Sequence, residues 1–522
     1  MTTILDCTLR DGGYYTNWDF PKDIVENYIK TMSELPYINY IEIGYRSPKK
    51  TDYFGEYFYL PIQTIKKIRK QLSDSKKISI MINTKDCSSV DELEFLLDEC
   101  RDDIDLVRFA VAPSNINHAL KLANKSKEMG FEVALNIMYI SEINAFDLKN
   151  MIANILQEVP QIDFIYLVDS YGSCFPEEVF EKIKICIENS NVKIGYHGHD
   201  NIQLAFANSL KSIEAGADMI DATITGMGRG AGNLMTELLF SYLTSDRTDI
   251  ENYNLANLVE KFNEIKYKYG WGTSLPYMIS GIQKLPQGEI MNLVSMKRYN
   301  TNTILNILKK KNVSVNISPI KYFNIGNLNI DTENIILVGG GNEVKHHQEG
   351  LKDFAKKSKS IFIHASLKNS KRFLDKDIIN IVCLPGDEIN FIEKYYDDRI
   401  IYIISEKQQN NKLIEVLNYD NCFVLGETEI DKIYEGKVND FDPPLLMSLK
   451  VAKLLKGKNL FLSGFDGYET DTVTTILLRE ENQQIIDLYN QYSKSGLVSV
   501  TPTKYDITEK SLYSLIVWGI EN

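Results

Sequence analysis

The stretch Lys193-Ile194-Gly195-Tyr196-His197, continued by residues 202–215 and then by Met219-Ile220-Asp221-Ala222, decides how the first half of the chain is read. A short apolar run ends on a histidine. A segment with helical spacing follows, in which Leu204, Ala205, Leu210 and Ile213 line one face. A second apolar run then begins. This is one strand–helix–strand unit, and its span of roughly thirty residues suits a right-handed crossover between parallel strands.

Working outward, the same unit recurs. Strands are predicted at 3–6, 40–44, 78–82, 105–109, 133–137 and 165–168, besides 193–197 and 219–222. Segment 176–189 opens with a proline and two acids, the signature of a first helical turn. Eight such units in about 220–250 residues predict a (β/α)8 TIM barrel rather than an open doubly wound sheet, which usually has fewer strands.

After the barrel the pattern turns helical, with a Tyr/Trp/Gly-rich break at 267–277. A second alternating series follows, with strands predicted at 334–338, 360–364, 378–384, 399–404, 422–425, 459–462 and 498–500. Turn formers crowd residues 317–333 and place a boundary there. The expected organisation is a barrel over 1–248, a helical extension over 249–316, and a Rossmann-like α/β domain with a mostly parallel sheet over 330–522.

A chain of 522 residues, 44% hydrophobic and 25% charged, is too long for one core and has the mixture of a globular protein. Its net charge of −13 argues against a nucleic-acid partner, and Lys309-Lys310-Lys311 reads as a solvated helix end. The 7 cysteines are scattered without a Cys-x-x-Cys pair, which fits reduced thiols. Met1-Thr2-Thr3 leads into a strand without a basic-then-apolar leader, and no apolar run approaches the ~20 residues of a membrane span. The expectation is a cytoplasmic protein with no membrane partner.

The chemistry is concentrated in two segments. The first is Leu5-Asp6-Cys7-Thr8-Leu9-Arg10-Asp11-Gly12-Gly13, at the end of the first strand. The second is His197-Gly198-His199-Asp200, at the end of the seventh. Alternate strand residues share a face, so His197 and His199 project together, and strands one and seven are separated by one neighbour in a closed ring. Asp11, His197 and His199 are therefore candidate ligands of one divalent ion, with Asn233 as a fourth. Two imidazoles and a carboxylate leave positions open, as catalysis requires, and accept Mn, Zn, Co, Fe or Mg. Non-haem iron oxygenases use the same donors, but in all-β folds.

Arg10 is placed to hold a carboxylate or stabilise an enolate oxygen. Gly12 and Gly13 allow a tight turn, and Tyr14 is a candidate proton relay. Gly226-Met227-Gly228-Arg229-Gly230-Ala231-Gly232-Asn233 follows the last barrel strand, where backbone N–H groups, that of Gly230 among them, can cradle an anion. Glu42, Asn136, Asp169 and Ser170 fall at strand ends and are candidates for substrate contact or support of the metal.

These motifs resemble those of the DRE-TIM metallolyase superfamily, which includes HMG-CoA lyase, 4-hydroxy-2-oxovalerate aldolase and isopropylmalate synthase. The likeness covers roughly 1–245 and is nearest to the aldolase branch. It implies metal ligation by Asp11, His197 and His199, completion by Asn233 as in the lyase branch, and enolate stabilisation by Arg10. The chain departs from its relatives in carrying Tyr14 where the aldolase branch has a catalytic histidine, and in having no cysteine between Gly226 and Asn233. The expected activity is a carbon–carbon lyase or aldolase working through a pyruvate enolate on a 4-hydroxy-2-oxo acid, its small-molecule partners a 2-oxo acid and an aldehyde. A Claisen-type synthase using an acyl-CoA, and a binding protein with a relic metal site, are the alternatives. In the second half, Gly339-Gly340-Gly341-Asn342 follows a strand but does not complete a dinucleotide fingerprint. Loops at 461–468 and 500–505 suit a ligand cleft for a nucleotide sugar or phosphate, with an oligomerising role as the competitor and a homo-oligomer as the associated expectation.

Overall fold

In the computed structural model the described residues are 2–247, 250, 253–295, 301, 304–305, 308, 321–324, 333–386, 388–405, 416–434, 442–468, 473–493 and 495–520. The lysine run at 309–311 and most of the predicted boundary at 317–333 lie outside them. The chain divides into two compact units, Met1–Asn292 and Leu293–Asn522. No helix among the described residues is long and apolar enough to cross a membrane.

The first unit is a closed barrel of eight parallel strands in sequential order. They are β1 (Thr3–Asp6), β2 (Ile38–Tyr45), β3 (Lys77–Asn83), β4 (Leu106–Val111), β5 (Glu132–Ile137), β6 (Phe164–Asp169), β7 (Lys193–Gly198) and β8 (Met219–Ala222). All eight predicted strands form, with ends displaced by a few residues at most. β1 closes the ring against β8, with Leu5 opposite Asp221.

The period of two sorts each strand between layers. Ile4, Ile41, Val107, Phe109, Val133, Leu135, Ile165 and Leu167 pack outward, into the core shared with the helices. Leu5, Tyr40, Leu106, Ala134, Phe164, Tyr166 and Met219 form a separate apolar cluster inside the barrel. Two residues further along the same strands, the inward positions become Glu42, Arg108, Asn136 and Asp221. The barrel interior is apolar below and charged above, and the charged layer underlies the site.

Helix Pro176–Asn189 has Pro176 in its first turn, as predicted. The helix after β7 spans Ala205–Ala215 and is followed by Gly216, whose φ of 107° supplies the left-handed cap. Helices Tyr253–Tyr269 and Leu275–Ile282 follow the barrel within the same unit, and helix Gln287–Ser295 begins in it and ends past Asn292. The predicted break at 267–277 narrows to 270–274, because Pro276 occupies a first turn instead of ending a helix.

The second unit holds an eight-stranded sheet among the described residues, every neighbouring pair parallel. Its strands are β9 (Asn334–Val338), β10 (Ile361–His364), β11 (Asn380–Leu384), β12 (Ile400–Ser405), β13 (Cys422–Leu425), β14 (Asn459–Ser463), β15 (Leu497–Ser499) and β16 (Thr508–Glu509). The order is β13-β12-β11-β10-β9-β14-β15-β16, a doubly wound arrangement whose direction reverses between β9 and β14. Only β16 was absent from the sequence reading. It is two exposed residues long and carries no hydrophobic pattern.

Candidate metal centre

The loop after β1 folds into two short helical turns, Thr8–Asp11 and Gly13–Thr16. Asp6 organises it: the carboxylate accepts from the Thr8 N–H at 2.9 Å and the Thr8 hydroxyl at 2.6 Å, and from Tyr28 and Thr236 at 2.6 Å. Gly12 has φ −65°, so the expected special turn conformation is not what requires glycine there. Space is the reason. A Cβ on Gly12 would overlap Met227 and the Thr8 carbonyl, and one on Gly13 would overlap the Trp18 ring. The Trp18 indole N–H in turn donates to the Arg10 carbonyl at 2.8 Å.

This packing brings Asp11 to His197 and His199. One donor atom from each of the three lies within 4.8 Å of the others, and all three residues are buried. The imidazole rings sit 5.0 Å apart at 78°, as two ligands approaching one point from different directions would. Backbone pairing of His199 with Asn233 brings the glycine-rich loop alongside, and the Asn233 amide donates to Asp11 Oδ2. His199 Nδ1 and Asn233 Oδ1 are buried without a hydrogen-bond partner among the described residues. Buried acceptors without donors are costly, and a cation would satisfy both. The donor set therefore fits a divalent ion.

Electrostatics keep the set in ligating form. Burial works against a charged Asp11, but Arg10, His197 and His199 outweigh it and hold the carboxyl below the usual range. Burial, with His197 beside it, pushes His199 down to about 3, so it is a neutral donor at pH 7. His197 Nδ1 lies 2.9 Å from Asp221 Oδ2, which directs Nε2 toward Asp11 at 3.9 Å. Asp221 also pairs with Arg108, and Arg108 Nη1 reaches Glu42 Oε1 at 3.2 Å. Glu42 Oε2 accepts from Arg10 Nε at 2.6 Å, and Arg10 Nη1 pairs with Asp11. A chain of alternating charge thus runs from the ligands through the barrel interior and back. A second grouping, Cys7, His197 and Asp221, has similar spacing. It is a poor ligand set, because burial raises the Cys7 thiol well above its ordinary value and Asp221 is committed to Arg108.

The other predicted residues separate into two groups. Tyr14 is at the site: its hydroxyl lies 3.2 Å from that of Tyr45, and its ring stands edge-on to Trp18 at 4.8 Å. Gly230 is held there too, with φ 66° and its carbonyl accepting from the Tyr15 hydroxyl at 2.7 Å. Glu42, a candidate for substrate contact or support of the metal, is fully buried with both carboxylate oxygens facing arginines, so it orients Arg10 beside Asp11. Asn136 lies in the barrel interior, its Oδ1 buried without a partner among the described residues. Ser170 accepts from the Tyr139 N–H at 3.0 Å, and Asp169 ties the Ser173 and Cys174 N–H groups of its own loop. Neither Asn136 nor Ser170 hydrogen-bonds to Asp11, His197 or His199.

Sequence reasoning missed Tyr45, Arg108 and Asp221. Arg108 and Asp221 lie on predicted strands and Tyr45 one residue past the predicted end of β2; Arg108 and Asp221 have the same inward parity as Glu42 and His197, the one signal that was available. It also missed Asn201, whose amide N–H donates to the Tyr277 carbonyl at 3.1 Å and to Gln287 at 2.9 Å. Those contacts bind helices Leu275–Ile282 and Gln287–Ser295 to the β7 loop.

Comparison with known proteins fits this geometry. The HMGL-like family model matches residues 106–264. A solved N-terminal domain from Bacteroides vulgatus, described provisionally as an aldolase, is 44% identical, with TM-score 0.53, over 58% of this chain and 99% of that one. The chain belongs to the HMGL-like family. HMGL-like relatives include a 4-hydroxy-2-oxovalerate aldolase of Geobacillus thermodenitrificans, 27% identical over 49% of this chain and 74% of its own. An oxaloacetate decarboxylase of Mycobacterium tuberculosis is 26% identical over 46% and 69%. This HMGL-like protein is an enzyme of the lyase/aldolase type with a metal-dependent site.

The loops after β9 and β14 meet at the reversal of the second sheet. The carboxylate of Asp466 lies where a Cβ on Gly341 would stand, and it accepts from the Glu343 N–H at 3.1 Å. An acid therefore lies against the glycine turn, and its charge disfavours an anion at that point.

Proposed function

We propose that the barrel is a divalent-metal carbon–carbon lyase that forms the enolate of pyruvate from a 4-hydroxy-2-oxo acid, in the direction of cleavage or of condensation with an aldehyde. The observation that carries this reading is the convergence of Asp11, His197 and His199 beside the Arg10 guanidinium. Asp11, His197, His199 and Asn233 are the residues that would hold the ion. Bound there, it supplies Lewis-acid activation of the 2-oxo acid carbonyl. The ion's identity is left open among Mn, Mg, Zn and Co.

Glu42 on Nε and Asp11 on Nη1 fix the Arg10 guanidinium, and Nη2 has no hydrogen-bond partner among the described residues. Arg10 is assigned to the developing enolate oxygen. In condensation, pyruvate C3 loses a proton, forms a bond to the aldehyde carbon, and the aldehyde oxygen takes up a proton; cleavage is the reverse. Tyr14, with its hydroxyl on that of Tyr45, is assigned to the proton at the aldehyde oxygen. Asn136, Ser170 and Gly230 are kept as substrate contacts. The nucleotide-sugar expectation for the second unit is not carried forward.

The test is exchange of the pyruvate methyl protons with deuterium, followed by proton NMR. Metal-loaded protein exchanges them, and Asp11→Ala, His197→Ala or His199→Ala abolishes the exchange. Full exchange after all three changes together overturns the reading. The decarboxylase relative makes oxaloacetate a second substrate to assay, because loss of its carboxylate yields the same enolate. Turnover with acetyl-CoA but not pyruvate favours the Claisen alternative.

A further inference from the structure

We infer that Arg229 selects an aldehyde bearing a negatively charged group, a phosphate or a carboxylate, remote from the reacting carbonyl. The inference rests on the aldol reading above and specifies its second substrate.

Arg229 lies between Gly228 and Gly230 in the loop after β8. Gly228 packs directly on the ligand set: a Cβ there would stand 2.7 Å from Asp11 Oδ2. One residue further on, the chain projects a guanidinium. Its Cζ lies 5.4 Å from the centroid of the Tyr14 ring. On the other side, Nη2 comes within 2.8 Å of the position a Cβ would take on Gly288, near the start of helix Gln287–Ser295. The group is therefore held between an aromatic face and a helix that leaves room for it, half-buried beside the metal centre.

No carboxylate pairs with it among the described residues. That sets Arg229 apart from four other buried or half-buried arginines of its unit. Arg10, Arg46, Arg69 and Arg108 each hold an acid, and the chain as a whole carries a net charge of −13. Withdrawing a cation from water without a partner costs free energy, which an incoming anion offsets. A guanidinium presents a planar fork that matches a carboxylate or a phosphate in two-point fashion, and stacking on an aromatic ring orients the fork. The 2-oxo acid half has its own partners in Arg10 and the ion. Arg229 lies on the Tyr14 side, where the aldehyde oxygen is assigned, so its anion belongs to the aldehyde.

The experiment uses the full chain loaded with Mn(II), pyruvate as donor, and paired acceptors: glyceraldehyde 3-phosphate against glyceraldehyde, and succinic semialdehyde against butanal. The charged member of at least one pair is expected to have a kcat/KM at least about tenfold higher, and the pair that shows it separates phosphate from carboxylate. Arg229→Ala brings that ratio to about one, and Arg229→Lys restores part of it, which a folding defect would not do. Equal rates within both pairs for the unmodified protein overturn the inference. So does a loss in Arg229→Ala that falls equally on charged and neutral acceptors, or one confined to the KM for pyruvate. Absence of pyruvate methyl exchange in the unmodified protein, measured without aldehyde, overturns the aldol reading itself and this inference with it.

Discussion

At the scale of single residues, the metal centre depends on groups that do not touch the ion. Asp221 sits 2.9 Å from His197 Nδ1 and is itself held by Arg108. Replacing it by asparagine keeps the shape but removes the charge that orients the imidazole and neutralises Arg108. Asp221→Asn is expected to weaken Mn(II) or Zn(II) binding by about 10–100-fold, as measured by calorimetric titration, because partners of ligating histidines fix both tautomer and direction. Unchanged affinity would show that barrel packing alone orients His197. The residues legible beforehand were those with chemistry written in their spacing: Asp11 after a strand, and His197 and His199 two apart. Asp221 and Arg108 looked like isolated charges in apolar runs. Their pairing needs β4 and β8 brought across the barrel, which no local pattern encodes.

At the scale of elements, the loop from Gly226 to Asn233 matters for what it lacks. Gly226, Gly230 and Gly232 adopt φ of 67°, 66° and 87°, which side chains disfavour. Gly228 is different, for its constraint is spatial: a Cβ there meets the Asn233 amide and Asp11. Gly228→Ala is expected to lose metal binding, with an overpacking cost of about 1–3 kcal/mol in denaturant unfolding. Retention of full affinity would mean that the loop can withdraw from Asp11 without consequence. The glycines were visible in the sequence, and so was the loop's place after the last strand. Which of them serve conformation and which serve close approach was not visible, because close approach depends on what lies opposite.

At the scale of the whole molecule, the two units have separate cores and respond to different conditions. In the second unit, His364 is fully buried on β10 with Nε2 2.9 Å from Asn380 Oδ1, and burial lowers its pKa to about 4. Below the ordinary histidine value near ~6.5, the unfolded chain takes up a proton that the folded unit refuses. Stability of this unit should fall as pH drops from ~6.5 and level off near 4, once the folded form also protonates. The loss across that window is about 3 kcal/mol by proton linkage. Hydrogen exchange of the β9–β11 amides in dilute denaturant at pH 7 and pH 4.5 measures it. His364→Asn should remove this part of the pH dependence, and an unaltered dependence would show that other groups carry it.

The sequence by itself determined the alternation of strands and helices in both halves, because period-two and period-3.6 burial are local properties. It also determined the three metal-ligand candidates, since donor type and strand-end position can be read along the chain. Tertiary structure alone decided that Glu42 faces two arginines, that Tyr45 backs Tyr14, that Asp466 fills the glycine turn, and that Arg229 stands without an acid among the described residues. Each of these is a relation between side chains distant in sequence. Whether a buried charge is satisfied depends on what the fold places within a few ångströms of it.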